Sequence, residues 1–196
     1  MAQKRKTNQT ETVFNAALAL ASKGGWDSLT LPAVAKKARV PQKSLEQEYG
    51  DIWNLLKAVL LKLEKDTMAA VGDYLGDNWR DNLMELLMTR FELAQQHRDV
   101  YASLPRSFAK NPQQSPRFAK QFYKYLDNTL RTAGIEKKLC QPACVVAFGA
   151  VYLSLVDVWM RDETADLSKT MAAIDKRTGM MEQGFAFLNR QPDHNT

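Results

Sequence analysis

Ile52, Leu55, Leu56, Val59, Leu60 and Leu63 recur at spacings of three and four, and this repeat constrains the chain more than anything else in it. Spacings of three and four place side chains on one face of a helix with 3.6 residues per turn, and no strand can use them. The same rhythm returns in Leu83, Leu86, Leu87 and Phe91, in Phe118, Phe122, Tyr125, Leu126 and Leu130, and in Met171, Ile174, Met181, Phe185 and Leu188. No segment alternates apolar and polar residues with period two, and no internal repeat is present. An all-α chain follows. Its 196 residues suffice for a small helical head on a larger helical bundle.

Local signals divide the rhythm into helices. Asn8 with Glu11 has capping-box spacing ahead of Val13, Ala16, Ala17, Leu18 and Leu20, and Gly24 and Gly25 stop that helix. Thr30 is suited to cap a second helix with Pro32 in its first turn, and a short third helix is expected from Gln42 to Tyr49, burying Leu45 and Tyr49. Asp51 caps the long fourth helix. A fifth is predicted over Trp79 to His97, then a shorter piece over 99–109 and a loop at "KNPQQSP". Later helices open at Ser115, near Pro142 and near Leu167. The expected division is a head at 1–50, a bundle for ligand binding and dimerisation at 51–190, and a disordered tail at 191–196. Residues 1–7 read as a disordered basic arm.

Charge is unevenly placed. Residues 1–50 hold eight Lys and Arg against four Asp and Glu, so +4 of the net +5 lies in the first quarter. A basic end suits nucleic acid or an anionic lipid surface, and charge alone does not choose between them. His97 and His194 are far apart, and no cluster of His, Cys or carboxylates suggests catalysis, a metal or a cofactor. The two cysteines, Cys140 and Cys144, stand one helical turn apart in an apolar run, where they are expected to pack as small core residues in a reducing compartment. "KRK" followed by "VFNAALALA" imitates a leader, but the polar stretch with Glu11 interrupts it. Residues 143–160 approach membrane-spanning length, yet Asp157 sits inside them and basic flanks are missing, so a buried or subunit-interface helix is expected. Asp157 is expected to pair with Arg161 one turn later. A cytoplasmic protein without a transmembrane segment follows.

The stretch "TLPAVAKKARVPQKSLEQEYGDIWNLL", residues 30–56, resembles the amino-terminal helix-turn-helix of TetR-family regulators. Val40 follows the turn, Leu45 and Tyr49 are its inward anchors, and "LL" opens the connecting helix. The order of segment lengths agrees over the rest of the chain. The resemblance implies a homodimer on palindromic operator DNA, with a pocket for a small apolar ligand in the second domain. Carried over residue by residue, it makes Thr30 a phosphate contact and puts Gln42, Lys43, Ser44 and Gln47 on the recognition helix, with Lys4, Arg5 and Lys6 assisting from the arm.

The same comparison marks departures. Arg39 stands where the turn usually has glycine, and Pro41 where a serine usually caps the helix. Glu46 and Glu48 replace residues that hold phosphate, and Ile52 replaces a lysine. Those changes, with "GGW" at 24–26, give the chain a similarity of layout to a TetR-fold lipid-binding protein of ubiquinone biosynthesis. The resemblance therefore implies either a ligand-responsive regulator or a lipid or isoprenoid carrier that no longer meets DNA. Trp79, Met84, Met88, Phe91, Phe108, Phe122, Tyr125, Phe148 and Tyr152 are the candidate pocket residues, being large and apolar at helical spacing in the second domain.

Overall fold

The computed structural model describes residues 2–72, 74–136 and 140–188, with side chains described between 9 and 185. Among the described residues every regular element is a helix. In order they are α1 (Ala2–Gly24), α2 (Leu31–Ala38), α3 (Gln42–Tyr49), α4 (Ile52–Val71), α5 (Trp79–Gln95), α6 (Arg98–Lys110), α7 (Ser115–Thr132), α8 (Gln141–Met160) and α9 (Ser168–Leu188). Short 3-10 turns occupy Trp26–Ser28 and Pro112–Gln114, the second inside the expected loop. Helix α1 begins at Ala2, ahead of the Asn8 cap, so the backbone from residue 2 on is helical in place of the expected disordered arm. Ala, Gln, Lys and Arg are strong helix formers and propagate the helix backwards once a turn exists. The side chains of Lys4, Arg5 and Lys6 and the tail at 191–196 lie outside the described residues.

Packing divides the chain into two units. One comprises residues 1–65 and 94–120, the other 66–93 and 121–196. The first is therefore discontinuous: α6 packs against the 26–28 turn and α1, joining the head from a distance in sequence. Its core is built by α1, α2 and α3 around Trp26, Val34, Leu45 and Tyr49, with Leu55 and Leu56 of α4 also fully buried. Trp26 donates from Nε1 to the Ile52 carbonyl at 3.2 Å, which ties the turn to the start of α4. Asp27 accepts from Lys110 Nζ at 2.6 Å and from Ser107 Oγ at 2.9 Å, fixing the end of α6. The Lys110 hydrogen bond, with Ser107, holds the Asp27 carboxyl below its ordinary range.

In the second unit α8 packs on α9. Phe148, Leu155, Trp159 and Ile174 are almost wholly buried there. Asp162 joins the two helices and is fully buried. Its Oδ1 accepts from the Thr164 amide and hydroxyl, and its Oδ2 from the Thr170 amide and hydroxyl at 2.7 Å each. Burial alone pushes this carboxyl up, but the hydrogen bonds outweigh burial and hold it well below the carboxylate range. Arg80 reaches Asp175 at 2.7 Å and Glu182 at 3.3 Å, adding α5 to the α9 surface.

Candidate functional site

The candidate site begins with α2 and α3. Thr30 caps α2, its hydroxyl accepting from the Ala33 amide at 3.4 Å. Leu31, Val34, Ala35 and Ala38 turn inward, leaving Lys36 and Lys37 exposed. Arg39 then takes φ 56° and ψ 42°, the left-handed conformation that the expected glycine accepts freely and a residue with a Cβ does not. The turn closes as the Arg39 and Val40 amides donate to the Lys36 and Ala35 carbonyls at 3.4 and 3.1 Å. Pro41 precedes α3 with no side-chain cap, which by typical magnitudes forgoes about 1 kcal/mol.

Helix α3 is pinned by only two buried residues, Leu45 and Tyr49. Burial, with the Glu48 carboxylate, pushes the Tyr49 phenol up to about 12, so it anchors as a neutral group. Every other residue of this helix is exposed, including Gln42, Lys43, Ser44, Glu46, Gln47 and Glu48. Gln42 and Glu46 are not independent. The Gln42 amide donates to Glu46 Oε1 at 2.6 Å across one turn, which leaves the amide its carbonyl oxygen and one N–H. The side chains that read the groove in the motif are thus presented outward, and Lys36, Lys37, Arg39, Glu46 and Glu48 are exposed beside them.

The candidate pocket residues separate into groups. Phe91, Phe122, Tyr125, Phe148 and Tyr152 come together in the second unit, with Tyr152 at the centre: its ring lies 6.0 Å from Phe91, 5.5 Å from Phe122 and 5.4 Å from Tyr125. Buried Arg90, which the sequence did not single out, belongs to this cluster. Its Nε donates to the Tyr152 hydroxyl at 2.9 Å, and its guanidinium lies 4.0 Å from the Tyr125 ring centre, a cation–π distance. Burial raises the Tyr125 phenol above its ordinary range against the pull of Arg90, so it stays protonated. Met84 and Met88 are half-buried on α5. Trp79 packs against Phe185 at 5.5 Å instead of joining the cluster.

Phe108 corrects its expected place. It belongs to the other unit, 5.8 Å from Trp53 and 4.9 Å from Phe118, because the α6 segment packs with the head.

An apolar cavity of about 340 Å³ opens between α8 and α9, and of the predicted pocket residues only Phe148 lines it, beside Cys144, Val151, Met181 and Phe185. Cys140, also on this groove, is exposed and Cys144 half-buried, so the expected packing of both in the core does not occur. Asp157 does pair with Arg161, at 2.7 Å, but about half of its side chain is exposed. Helix α8 is long and apolar enough to span a membrane by length and composition, with a mean hydropathy of 1.9. Its outward face carries Val146 and Leu153, 68% and 58% exposed.

No family model matches the sequence, and no curated protein is similar to it in sequence. Solved structures are similar in shape. A TetR transcriptional regulator from Nitrosomonas europaea superposes with a TM-score of 0.75 at 14% identity, over 89% of this chain and 98% of that one. A TetR transcriptional regulator from Rhodococcus sp. RHA1 gives 0.67 at 14% identity over 90% and 97%. A third structure, of a Rhodococcus protein of the same family, gives 0.66 at 17% identity over 90% and 98%. Likeness over about nine-tenths of the chain establishes that this protein has the fold of TetR-family transcriptional regulators.

Proposed function

We propose that the protein is a ligand-responsive transcriptional regulator, acting in the cytoplasm, that binds operator DNA as a homodimer. The observation that carries this reading is α3, held by Leu45 and Tyr49 alone and otherwise wholly exposed. A helix kept only for packing needs no polar face of this extent beside exposed lysines. In the proposed complex Thr30 and Lys43 meet phosphate, and Ser44 and Gln47 meet the groove. Gln42 addresses a base with the groups its bond to Glu46 leaves available. Glu46 accepts from cytosine N4 and repels phosphate elsewhere, trading affinity for selectivity. The second copy packs on the α8 and α9 faces bearing Val146, Leu153 and Met180, the isologous arrangement commonest among oligomers. A small apolar ligand is assigned to the aromatic cluster around Tyr152.

A second reading rests on Glu46 and Glu48, which oppose phosphate, and on the apolar cavity: a lipid or isoprenoid carrier that does not bind DNA. One titration separates the two. Fluorescence anisotropy with duplexes flanking the protein's own gene is measured at low and physiological salt. The regulator predicts sequence preference and a steep salt dependence. Glu46→Tyr with Glu48→Tyr should tighten binding, and Lys43→Ala should weaken it and lower the salt slope by about 1 per lost phosphate contact. If none of these changes alters affinity for any duplex, α3 does not meet DNA, and lipid co-purifying with the protein becomes the expectation.

A further inference from the structure

The Sγ atoms of Cys140 and Cys144 lie 3.7 Å apart at the amino-terminal end of α8, at the rim of the apolar cavity. This distance discriminates between the reactions open to two thiols. A disulfide requires Cβ atoms about 3.5–4.5 Å apart. Cys140 is the residue just before α8, and its carbonyl accepts from the Cys144 amide at 3.0 Å. Residues joined by that bond across one turn hold their Cβ atoms at about 5–6 Å, so oxidation with this turn intact is opposed by the backbone. A centre bonded to both sulfurs at about 2.3 Å, the length of a zinc–thiolate bond, meets no such obstacle. At the observed separation the angle at that centre is about 107°, by the same bond length. A linear two-coordinate ion needs sulfurs about 4.6 Å apart on this bond length and does not fit. Geometry therefore selects a pyramidal or tetrahedral thiophilic centre.

The surroundings narrow the class further. Among the described residues no group of three or more His, Cys, Asp or Glu side chains is placed to hold a metal ion. The described residues thus supply two bonds, and the remaining position faces Ala147, Val151, Met181 and Phe185 across an apolar groove. At Gly184 on the α9 wall an added Cβ meets nothing within 4 Å. We propose that Cys140 and Cys144 form a dithiol site for a thiophilic centre carrying one organic group and two exchangeable positions, the chemistry of a monoaryl or monoalkyl arsenic(III) compound. Two As–O bonds of the dihydroxy form break and two As–S bonds form. The two thiol protons leave with the two hydroxyls as water, and no oxidation state changes. The organic group occupies the groove. Val146 and Leu153 lie on a different side of α8 from the Cys140, Cys144 and Val151 stripe.

Phenylarsine oxide is the probe. The chain contains only these two cysteines, so intact-mass spectrometry reads the site directly. One adduct per chain is expected, stable to a monothiol and removed by a competing 1,2-dithiol. Cys140→Ser and Cys144→Ser each turn the chelate into a single bond and should weaken retention about a hundredfold, the low end of what an intramolecular second bond contributes. Phenylarsine oxide should compete about tenfold better than inorganic arsenite, the aryl group being buried in the groove. Gly184→Leu fills the groove from a helical position that tolerates it, and should erase that preference while arsenite binding persists. The proposal is overturned if no stable adduct forms, if either serine variant retains the probe like the parent, or if Gly184→Leu leaves the aryl preference intact.

Discussion

Asp162→Ala is the most informative single test of how the second unit holds together. The carboxylate is wholly buried and receives four hydrogen bonds, two each from Thr164 and Thr170. Thr170 is also fully buried, so after truncation its amide and hydroxyl have no access to water. Each buried donor left unmade costs about 1–3 kcal/mol. Thr164 is half-exposed, and its groups turn to solvent at little cost. The expected loss is therefore about 4 kcal/mol, which for a chain of this size lowers Tm by about 8–16 °C. Asp162→Asn should fare little better, since its amide N–H2 faces donors at one of the two positions.

The pH dependence follows from the depressed carboxyl. Its stabilisation is complete above the unfolded value near 4 and is lost as pH falls below that toward the folded value, because the unfolded chain takes up the proton first. Thermal melts from pH 7 down to 3 are the assay. Parent and Asp162→Ala should differ most at neutral pH and converge in acid. A neutral-pH difference under about 1 kcal/mol, the size of one ordinary hydrogen bond, would refute the reasoning. A constant gap across the whole range would refute the linkage.

Three further outcomes are expected. Asp27→Asn loosens α6 from the head by about 1 kcal/mol, a scale set by exposed and half-exposed ion pairs. The effect in denaturant titrations should fade as pH falls below about 4, where the unfolded parent takes up the proton first and the stabilisation from the depressed Asp27 carboxyl drains away. Arg39→Gly relieves the left-handed turn and should raise stability by about 0.5–1 kcal/mol in the same titrations, the strain removed less the added chain entropy. Leu153→Glu places a charge on the outward face of α8, where the side chain is 58% exposed and the single-chain core is untouched. Light scattering should then report a folded monomer, and an unchanged dimer mass would remove this face from the proposed assembly.

The sequence by itself determined the helical class, most helix starts and the inward anchors of the head. These are decided by neighbours three and four residues away. Thr30 caps because its hydroxyl reaches the third amide along, and Leu45 and Tyr49 point inward because one turn separates them. Even the left-handed turn at Arg39 was legible as a departure from glycine. The tertiary structure alone decided which faces meet. Phe108 joined Trp53 and Phe118 because the α6 segment packs beside residues far earlier in the chain. Arg90 entered the aromatic cluster through a bond to Tyr152, 62 positions away. The capping of α9 by Asp162 required a fully buried carboxylate that composition gave no reason to expect there. Cys140 and Cys144 read as core residues because an apolar run has no marker for which of its faces its partners cover. Their exposure, and the 3.7 Å between their sulfurs, depended on which face of α8 its neighbours leave open. Period and caps act within one helix, whereas contact depends on how helices distant in sequence are brought together.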